Sequence, residues 1–304
     1  KGILTDLLRD EMDFEGMVVS DWHGVGEVKG CTNDDCAQAV NAGVDMLMVP
    51  TDWKSLYHNT LAQAESGEIP AARIDEAVSN ILTMKIRAGL FKRGLPSSLA
   101  AQYEDQIGHP DHRSIAREAV RKSQVLLKNE NQLLPLSPIG TYLVAGPGAD
   151  NIGQQSGGWS VSWQGTGNSN TDFPGGTSIL DGLERQVSAA GGRIVRDVNA
   201  DVDAAVVVFG ETPYAEMQGD AYTVAWYDKR GERKLINALV EKGIPVVAVF
   251  LTGRPMWIND LLNQSDAFVV SWLPGTEGEG IADVLLRDAN DAVRFDFVGT
   301  LPMP

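Results

Sequence analysis

Ala204-Ala-Val-Val-Val-Phe209 is an unbroken apolar run, rich in a β-branched residue and closed by Gly210. A run this short between turn residues reads as a strand buried on both faces, the habit of strands in parallel sheets. Pro245-Val-Val-Ala-Val-Phe-Leu251 and Ala267-Phe-Val-Val-Ser271 repeat the pattern downstream, and Tyr142-Leu-Val-Ala145 precedes it. Around these runs the period changes to that of helices, over Ser114–Lys128, Ile179–Ala190, Glu232–Glu241, Pro255–Leu262 and Gly278–Leu286. The alternation predicts an open, mostly parallel sheet covered by helices, with functional loops at the strand C-termini.

Upstream, Gly16-Met-Val-Val-Ser-Asp-Trp22 is another short strand, ending on a carboxylate and an indole and running straight into glycines. Ile3, Leu4, Leu7, Leu8 and Met12 recur at helical spacing before it. After it, Ala37–Ala42 reads as a short helix and Val44-Asp-Met-Leu-Met-Val-Pro50 as a second buried strand. Helices follow over Leu56–Ser66 and Ile74–Ala88, the second with Ile74, Ala77, Val78, Ile81, Leu82 and Ile86 on one face. This is the rhythm of the last units of a parallel β/α barrel, but a whole (β/α)8 barrel takes roughly 250 residues. The sequence therefore predicts an α/β chain in three parts. Residues 1–90 form the C-terminal units of a truncated β/α barrel, 91–113 a linker rich in Gly, Pro, Ser and charge, and 114–304 an α/β sandwich. The opening Lys1-Gly2-Ile3 carries no start methionine, so we read the chain as a piece of a longer protein whose N-terminal barrel segment lies elsewhere.

With 25 Lys and Arg against 41 Asp and Glu, the formal net charge is −16. Such a surface argues against a nucleic-acid partner and offers no basic stripe to an anionic membrane. No apolar stretch approaches the roughly 18 residues of a membrane span. Neutral ligands suit the chain better. Its two cysteines, Cys31 and Cys36, share one polar loop. They are close enough for a small disulfide, which requires an oxidising compartment such as the periplasm or the medium, and two free thiols are the competing reading. His23 is the only histidine near them, which is too few ligands for zinc, so no metal is expected.

Three places carry candidate chemistry. Asp21 emerges at a strand end, where α/β folds put their reacting groups, with Trp22 beside it as a sugar-stacking ring. The plainer alternative is that Asp21 caps the turn and Trp22 joins the core. The loop Gly210-Glu-Thr-Pro-Tyr-Ala-Glu-Met-Gln-Gly-Asp220 offers Glu211 and Glu216 as an acid, or a merely solvated acidic loop. Trp159 and Trp163 sit in the Gly- and Ser-rich stretch Gly157-Gly-Trp-Ser-Val-Ser-Trp-Gln-Gly165, as a stacking platform or as core. Gly146-Pro-Gly-Ala-Asp-Asn-Ile-Gly153 is misspaced for a dinucleotide fingerprint, and Gly275-Thr-Glu-Gly-Glu-Gly280 puts two acids where phosphate would sit. Neither has a phosphate-binding lysine, so no nucleotide cofactor is expected.

Several segments, in this order, resemble glycoside hydrolase family 3, in particular its exo-acting β-glucosidase and exo-1,3/1,4-β-glucanase branch. They are Val19-Ser-Asp-Trp22, Ala42-Gly-Val-Asp-Met46 with Val49-Pro50, Arg73-Ile-Asp75, Leu126-Leu-Lys-Asn129 with Leu134-Pro135, Gly157-Gly-Trp159 with Trp163-Gln-Gly165, Gly210-Glu211 with Pro213-Tyr214 and Glu216, Gly253-Arg-Pro255 and Trp272-Leu-Pro-Gly275. The resemblance implies a retaining double displacement that releases glucose from the non-reducing ends of β-glucans or β-oligoglucosides. It puts the nucleophile on Asp21 and the acid/base on Glu216, with Glu211 as the alternative acid or a substrate contact. Trp22 and Trp163 then clamp the neighbouring sugar, Trp159 supports them, and His23 lines an outer subsite. The family's further sugar-gripping Lys-His, Arg and Asp groups belong to the front of the barrel, outside this sequence. On that expectation the fragment alone is inactive or weak and its parent is a periplasmic or secreted enzyme. A non-catalytic carbohydrate-binding protein using the tryptophan clamp alone is the alternative.

Overall fold

The computed structural model describes residues 1–228 and 230–302, and the chain divides into two compact units, Lys1–Gln102 and Tyr103–Pro304.

The first unit opens with a wide helical segment, Gly2–Glu11, whose bonds run from residue i to i+5, as from the Met12 N–H to the Leu7 carbonyl at 3.0 Å. Two extended segments then lie parallel. Val18 O accepts from the Asp45 and Met46 N–H groups, and Ser20 N–H donates to Met46 O. They are less buried than their sequence predicts, since Val19 and Met48 are 40% and 41% exposed. The reason is that apolar cover lies on one side, where Val18, Val44, Leu47 and Val49 meet Val25, Cys36 and Leu56. The rest of the unit is helical: α1 Ala37–Asn41, α2 Trp53–Ser66, α3 Ala71–Arg87 and α4 Pro96–Tyr103. α4 falls in the stretch read as linker. The apolar stripe of α3 is present, yet only Ala77 is buried; Val78, Leu82 and Ile86 remain exposed.

One buried carboxylate ties this unit together. The Asp45 side chain has no exposure, and it accepts from Arg9 Nη2 at 2.7 Å, Arg73 Nη2 at 2.5 Å and the Val18 N–H at 2.9 Å. Arg73 reaches on to the carbonyls of Val40 and Val44. The N-terminal helical segment, both extended segments and α3 therefore meet at Asp45, which fixes the path of the chain leading to Asp21.

The second unit begins with α5 Pro110–Ser123 and holds six strands: β1 Val125–Asn129, β2 Thr141–Ala145, β3 Arg193–Val195, β4 Ala204–Gly210, β5 Val246–Leu251 and β6 Ala267–Trp272. Their order is β1-β6-β5-β4-β2-β3, parallel throughout except that β1 runs antiparallel to β6. The remaining helices are α6 Ile152–Ser156, α7 Ile179–Ala189, α8 Glu232–Glu241, α9 Asn259–Gln264 and α10 Glu279–Leu285. The mostly parallel sheet expected from the apolar runs is present. Strand alternation sorts its side chains between two cores. Val206, Val208, Val247 and Val249 face α5, α7 and α10, whereas Ala205, Val207, Phe209 and Phe250 face α8 and α9.

Two expectations need correction. The helix read over Ser114–Lys128 ends at Ser123, and Val125–Asn129 becomes the antiparallel edge strand. Val and Leu suit either element, and pairing with β6 decides. The helix read over Pro255–Leu262 starts only at Asn259, because Trp257 instead bridges Ala225 in extended form.

Asp283 on α10 is the second unit's buried carboxylate. It accepts from Arg117 at 2.6 and 2.5 Å, Arg121 at 3.0 Å and Gln186 at 2.8 Å, so it joins α5, α7 and α10. Burial alone would raise its pKa, but the hydrogen bonds from the two arginines outweigh burial and hold it below the usual carboxylate value. A depressed carboxyl stabilises the fold above its unfolded pKa and loses that contribution as pH falls through its folded pKa. Asp283→Asn is therefore expected to lower unfolding free energy at neutral pH by about 3–5 kcal/mol, the usual cost of stranding a buried partner. Urea titrations of both proteins at neutral and acid pH check this, and the gap between them should narrow in acid.

Candidate active site

In the first unit the extended segment ends at Ser20, and the chain turns over Asp21-Trp22-His23. The Met48 N–H donates to Ser20 Oγ at 2.8 Å and the His23 N–H to Met48 O at 2.9 Å, so the turn is bonded on both sides to the parallel neighbour. Asp21 is exposed. Its Oδ1 accepts from the Trp22 N–H at 2.6 Å, and its other oxygen makes no hydrogen bond among the described residues. Trp22 is not core: it is 62% exposed, with its ring centroid 6.1 Å from that of His23. His23 sits in the left-handed region at φ 55° and lies 2.9 Å from Thr51 Oγ1 through Nε2. Cys31 and Cys36 in the loop just beyond are disulfide-bonded.

The second unit brings together the other four predicted residues. β4 ends at Gly210 and releases the loop that carries Glu211 and Glu216. Glu211 is fully engaged: it accepts from Arg254 Nε and Nη2 at 2.9 and 2.8 Å, from Thr252 Oγ1 at 2.7 Å and from Tyr214 Oη at 3.1 Å. Four donors, two of them from one guanidinium, occupy both oxygens and fix the carboxylate in place. Burial and the adjacent Glu211 charge push the Tyr214 hydroxyl up to about 12, so it remains a donor. Arg254 also donates to Gly219 O at 2.5 Å and lies 4.4 Å over the Tyr214 ring, closing both ends of the loop on one side chain. Glu216 stands at the crown of that loop. Its side chain is exposed and makes no hydrogen bond among the described residues.

The tryptophan loop packs directly on this acidic loop. Gln164 accepts from the Ala215 N–H at 2.7 Å and donates to Glu216 O at 3.0 Å. Gly158 lies so close to Tyr214 that a Cβ there would come 2.0 Å from its carbonyl oxygen. Trp159 and Trp163 are both exposed, with centroids 6.2 Å apart and planes tilted by 50°, so neither is core. Gln164 and Arg254 appear in the sequence motifs with no role attached, because each acts on a loop distant in sequence.

Behind the loop lies a cavity of about 430 Å³ lined by Glu211, Tyr214, Trp226, Arg254 and Glu232 among others. Glu232 is 2% exposed, and burial together with Asp228 raises its pKa. Hydrogen bonding with Glu232 is the main reason Asp228 is lowered to about 2. Among the described residues no group of three or more His, Cys, Asp or Glu is placed to hold a metal ion, and no helix is long and apolar enough to cross a membrane.

Residues 124–303 match the glycosyl hydrolase family 3 C-terminal domain and residues 1–84 the glycosyl hydrolase family 3 N-terminal domain. The chain belongs to glycosyl hydrolase family 3. Among solved structures, an exo-1,3/1,4-β-glucanase from a Pseudoalteromonas species superposes with a TM-score of 0.95 at 49% identity, over 99% of this chain and 38% of that one. A β-glucosidase from Listeria innocua in complex with glucose gives 0.76 at 28% identity, over 94% of this chain and 40% of that one. The lysosomal β-glucosidase of Dictyostelium discoideum is 35% identical over 322 residues and the periplasmic β-glucosidase of Salmonella typhimurium 32% over 352. The chain covers 96% and 99% of itself in these matches but only 38% and 44% of those proteins.

Two outcomes follow from this geometry. Arg254→Ala removes the clamp on the acidic loop, and amide hydrogen exchange over 211–219 should accelerate roughly tenfold or more, equivalent to about 1.4 kcal/mol of lost local protection. Glu232 has a raised pKa, so its contribution is intact in acid and is lost as pH rises through its folded pKa. Glu232→Gln keeps a neutral donor beside Asp228; thermal unfolding should match the parent sequence in acid and exceed it at alkaline pH.

Proposed function

We propose that this chain carries the two reacting carboxylates of a retaining, exo-acting β-glucosidase or β-glucan glucohydrolase. The observation that carries the reading is the 49% identity with an exo-1,3/1,4-β-glucanase over 99% of the chain, a span that includes both acids. Asp21, with one oxygen unbonded, is the nucleophile that attacks the anomeric carbon. Glu216 protonates the departing oxygen and then activates water against the glycosyl-enzyme. Glu211, held by Arg254, Thr252 and Tyr214, serves as the anchor of the acidic loop, which favours Glu216 over it as the acid. Trp22, Trp159 and Trp163 offer indole faces to the apolar side of the sugars, and His23 edges the first of these. No cofactor enters the chemistry.

The substrate is a β-glucan or β-oligoglucoside cut at its non-reducing end. The disulfide and the periplasmic relative favour an oxidising compartment. The uncovered apolar stripe of α3 and the half-covered strands favour a first domain completed by further barrel segments, which would supply the grip on the sugar hydroxyls. Without that grip the present chain turns over slowly or not at all.

A 2-deoxy-2-fluoroglucoside of good leaving ability should label the full-length protein at Asp21, read by peptide mass spectrometry; a label on another residue removes the assignment. Glu216→Gln should slow hydrolysis of glucosides with poor leaving groups by roughly 10²–10⁴-fold. Substrates whose leaving group needs no proton should be spared in the first step, and added azide should restore turnover. Unchanged turnover in both Asp21→Ala and Glu216→Gln would support the non-catalytic sugar-binding reading instead.

A further inference from the structure

The second unit exposes a further tryptophan besides Trp159 and Trp163. Trp257 leaves the C-terminal side of β5 and is 65% exposed. Its backbone is not loose, since the Trp257 N–H donates to Val224 O at 2.8 Å and the Trp226 N–H donates to Trp257 O at 2.9 Å. Trp226 in turn is anchored in the core, its ring 5.2 Å from Phe250 and 6.0 Å from Phe209. An indole held this firmly and still left in water is costly unless something covers it. What adjoins it is a cavity of about 320 Å³, lined by Ala225, Trp226, Arg233, Trp257, Asn259 and Asp260 among others.

The rim of that cavity has the chemistry of sugar recognition. Arg233 Nη1 and Asp260 Oδ2 are paired at 2.6 Å, which sets planar donors and acceptors side by side. Asn259 is exposed and its side-chain amide makes no hydrogen bond among the described residues. A flat apolar ring flanked by a carboxylate, a guanidinium and an unused amide suits a pyranose, which has an apolar C–H face and a hydroxyl edge. A protein partner would call for a broader apolar surface than one indole. The cavity is also at the low end of the roughly 300–1,000 Å³ typical of small-ligand sites. It shares Ala225 and Trp226 with the larger cavity behind the Glu216 loop.

We propose that Trp257, with Arg233, Asn259 and Asp260, forms a separate oligosaccharide-binding site that holds glucosyl units of a β-glucan without cleaving them. The sugar-binding claim stands on the site itself; the choice of β-glucan rests on the proposed function.

The chain labelled with 5-fluorotryptophan tests this by fluorine NMR, its seven tryptophans giving separate probes. Trp257→Phe assigns the Trp257 signal. Laminaritetraose, and in a second arm cellotetraose, should shift that signal saturably, and Asn259→Ala or Arg233→Ala should weaken the saturation about tenfold. A Trp257 signal unmoved by either sugar overturns the proposal, including the case where Trp22, Trp159 or Trp163 do respond. A moving Trp257 signal with those three silent supports this site while counting against the clamp, so the two readings fail separately. The titration itself is read on the wild-type chain, and Trp257→Tyr assigns the signal should Trp257→Phe fail to fold. In the full-length protein, Trp257→Phe should reduce retention on a laminarin-containing gel while leaving hydrolysis of a small aryl glucoside unchanged.

Discussion

A carboxylate shut away from water must be matched by donors or it will not stay charged, and each unit of this chain is assembled around one such group. Asp45 takes two arginines, the Val18 N–H and the Asn80 amide, and Asp283 takes two arginines and Gln186. In both cases the partners come from elements far apart in sequence, so the ion cluster acts as a fastener between them. Replacing such clusters with hydrocarbon is often tolerated, which points to geometry rather than net stability as what they supply. At Asp45 the geometry at stake is the course of the segment that presents Asp21. At Asp283 it is the seating of three helices on one face of the sheet.

The acidic loop repeats the device at its own scale. Glu211 and Arg254 hold its base, Gln164 holds its middle, and the residue left over is Glu216. A loop at the C-terminal end of a parallel strand is where sequence and conformation vary most easily, and this bracing limits that freedom. Two glutamates five residues apart thus do different work, one neutralised by a neighbour and one left to the solvent side.

Much of this architecture was legible in the residues. The three long apolar runs could only be buried strands, and helical periods between them made the sheet parallel. Val125-Leu126-Leu127 misled because no Gly or Pro separates it from the preceding helix, and only pairing with β6 makes it a strand. Pro255 misled in the opposite way, as a helix starter in a segment whose Trp257 prefers an extended bridge to Ala225. The exposed Val78, Leu82 and Ile86 show that periodicity reports an apolar stripe and not whether anything covers it. At the site, residue types suggested two possible acids, and what distinguishes their surroundings is Arg254, which lies 43 positions beyond Glu211. No local pattern encodes that contact.

The contact of Gly158 with the Tyr214 carbonyl constrains both loops. There is no room for even one carbon between the two loops at this point. A larger residue at 158 would have to push the 211–219 loop aside, so the two segments can change shape only together.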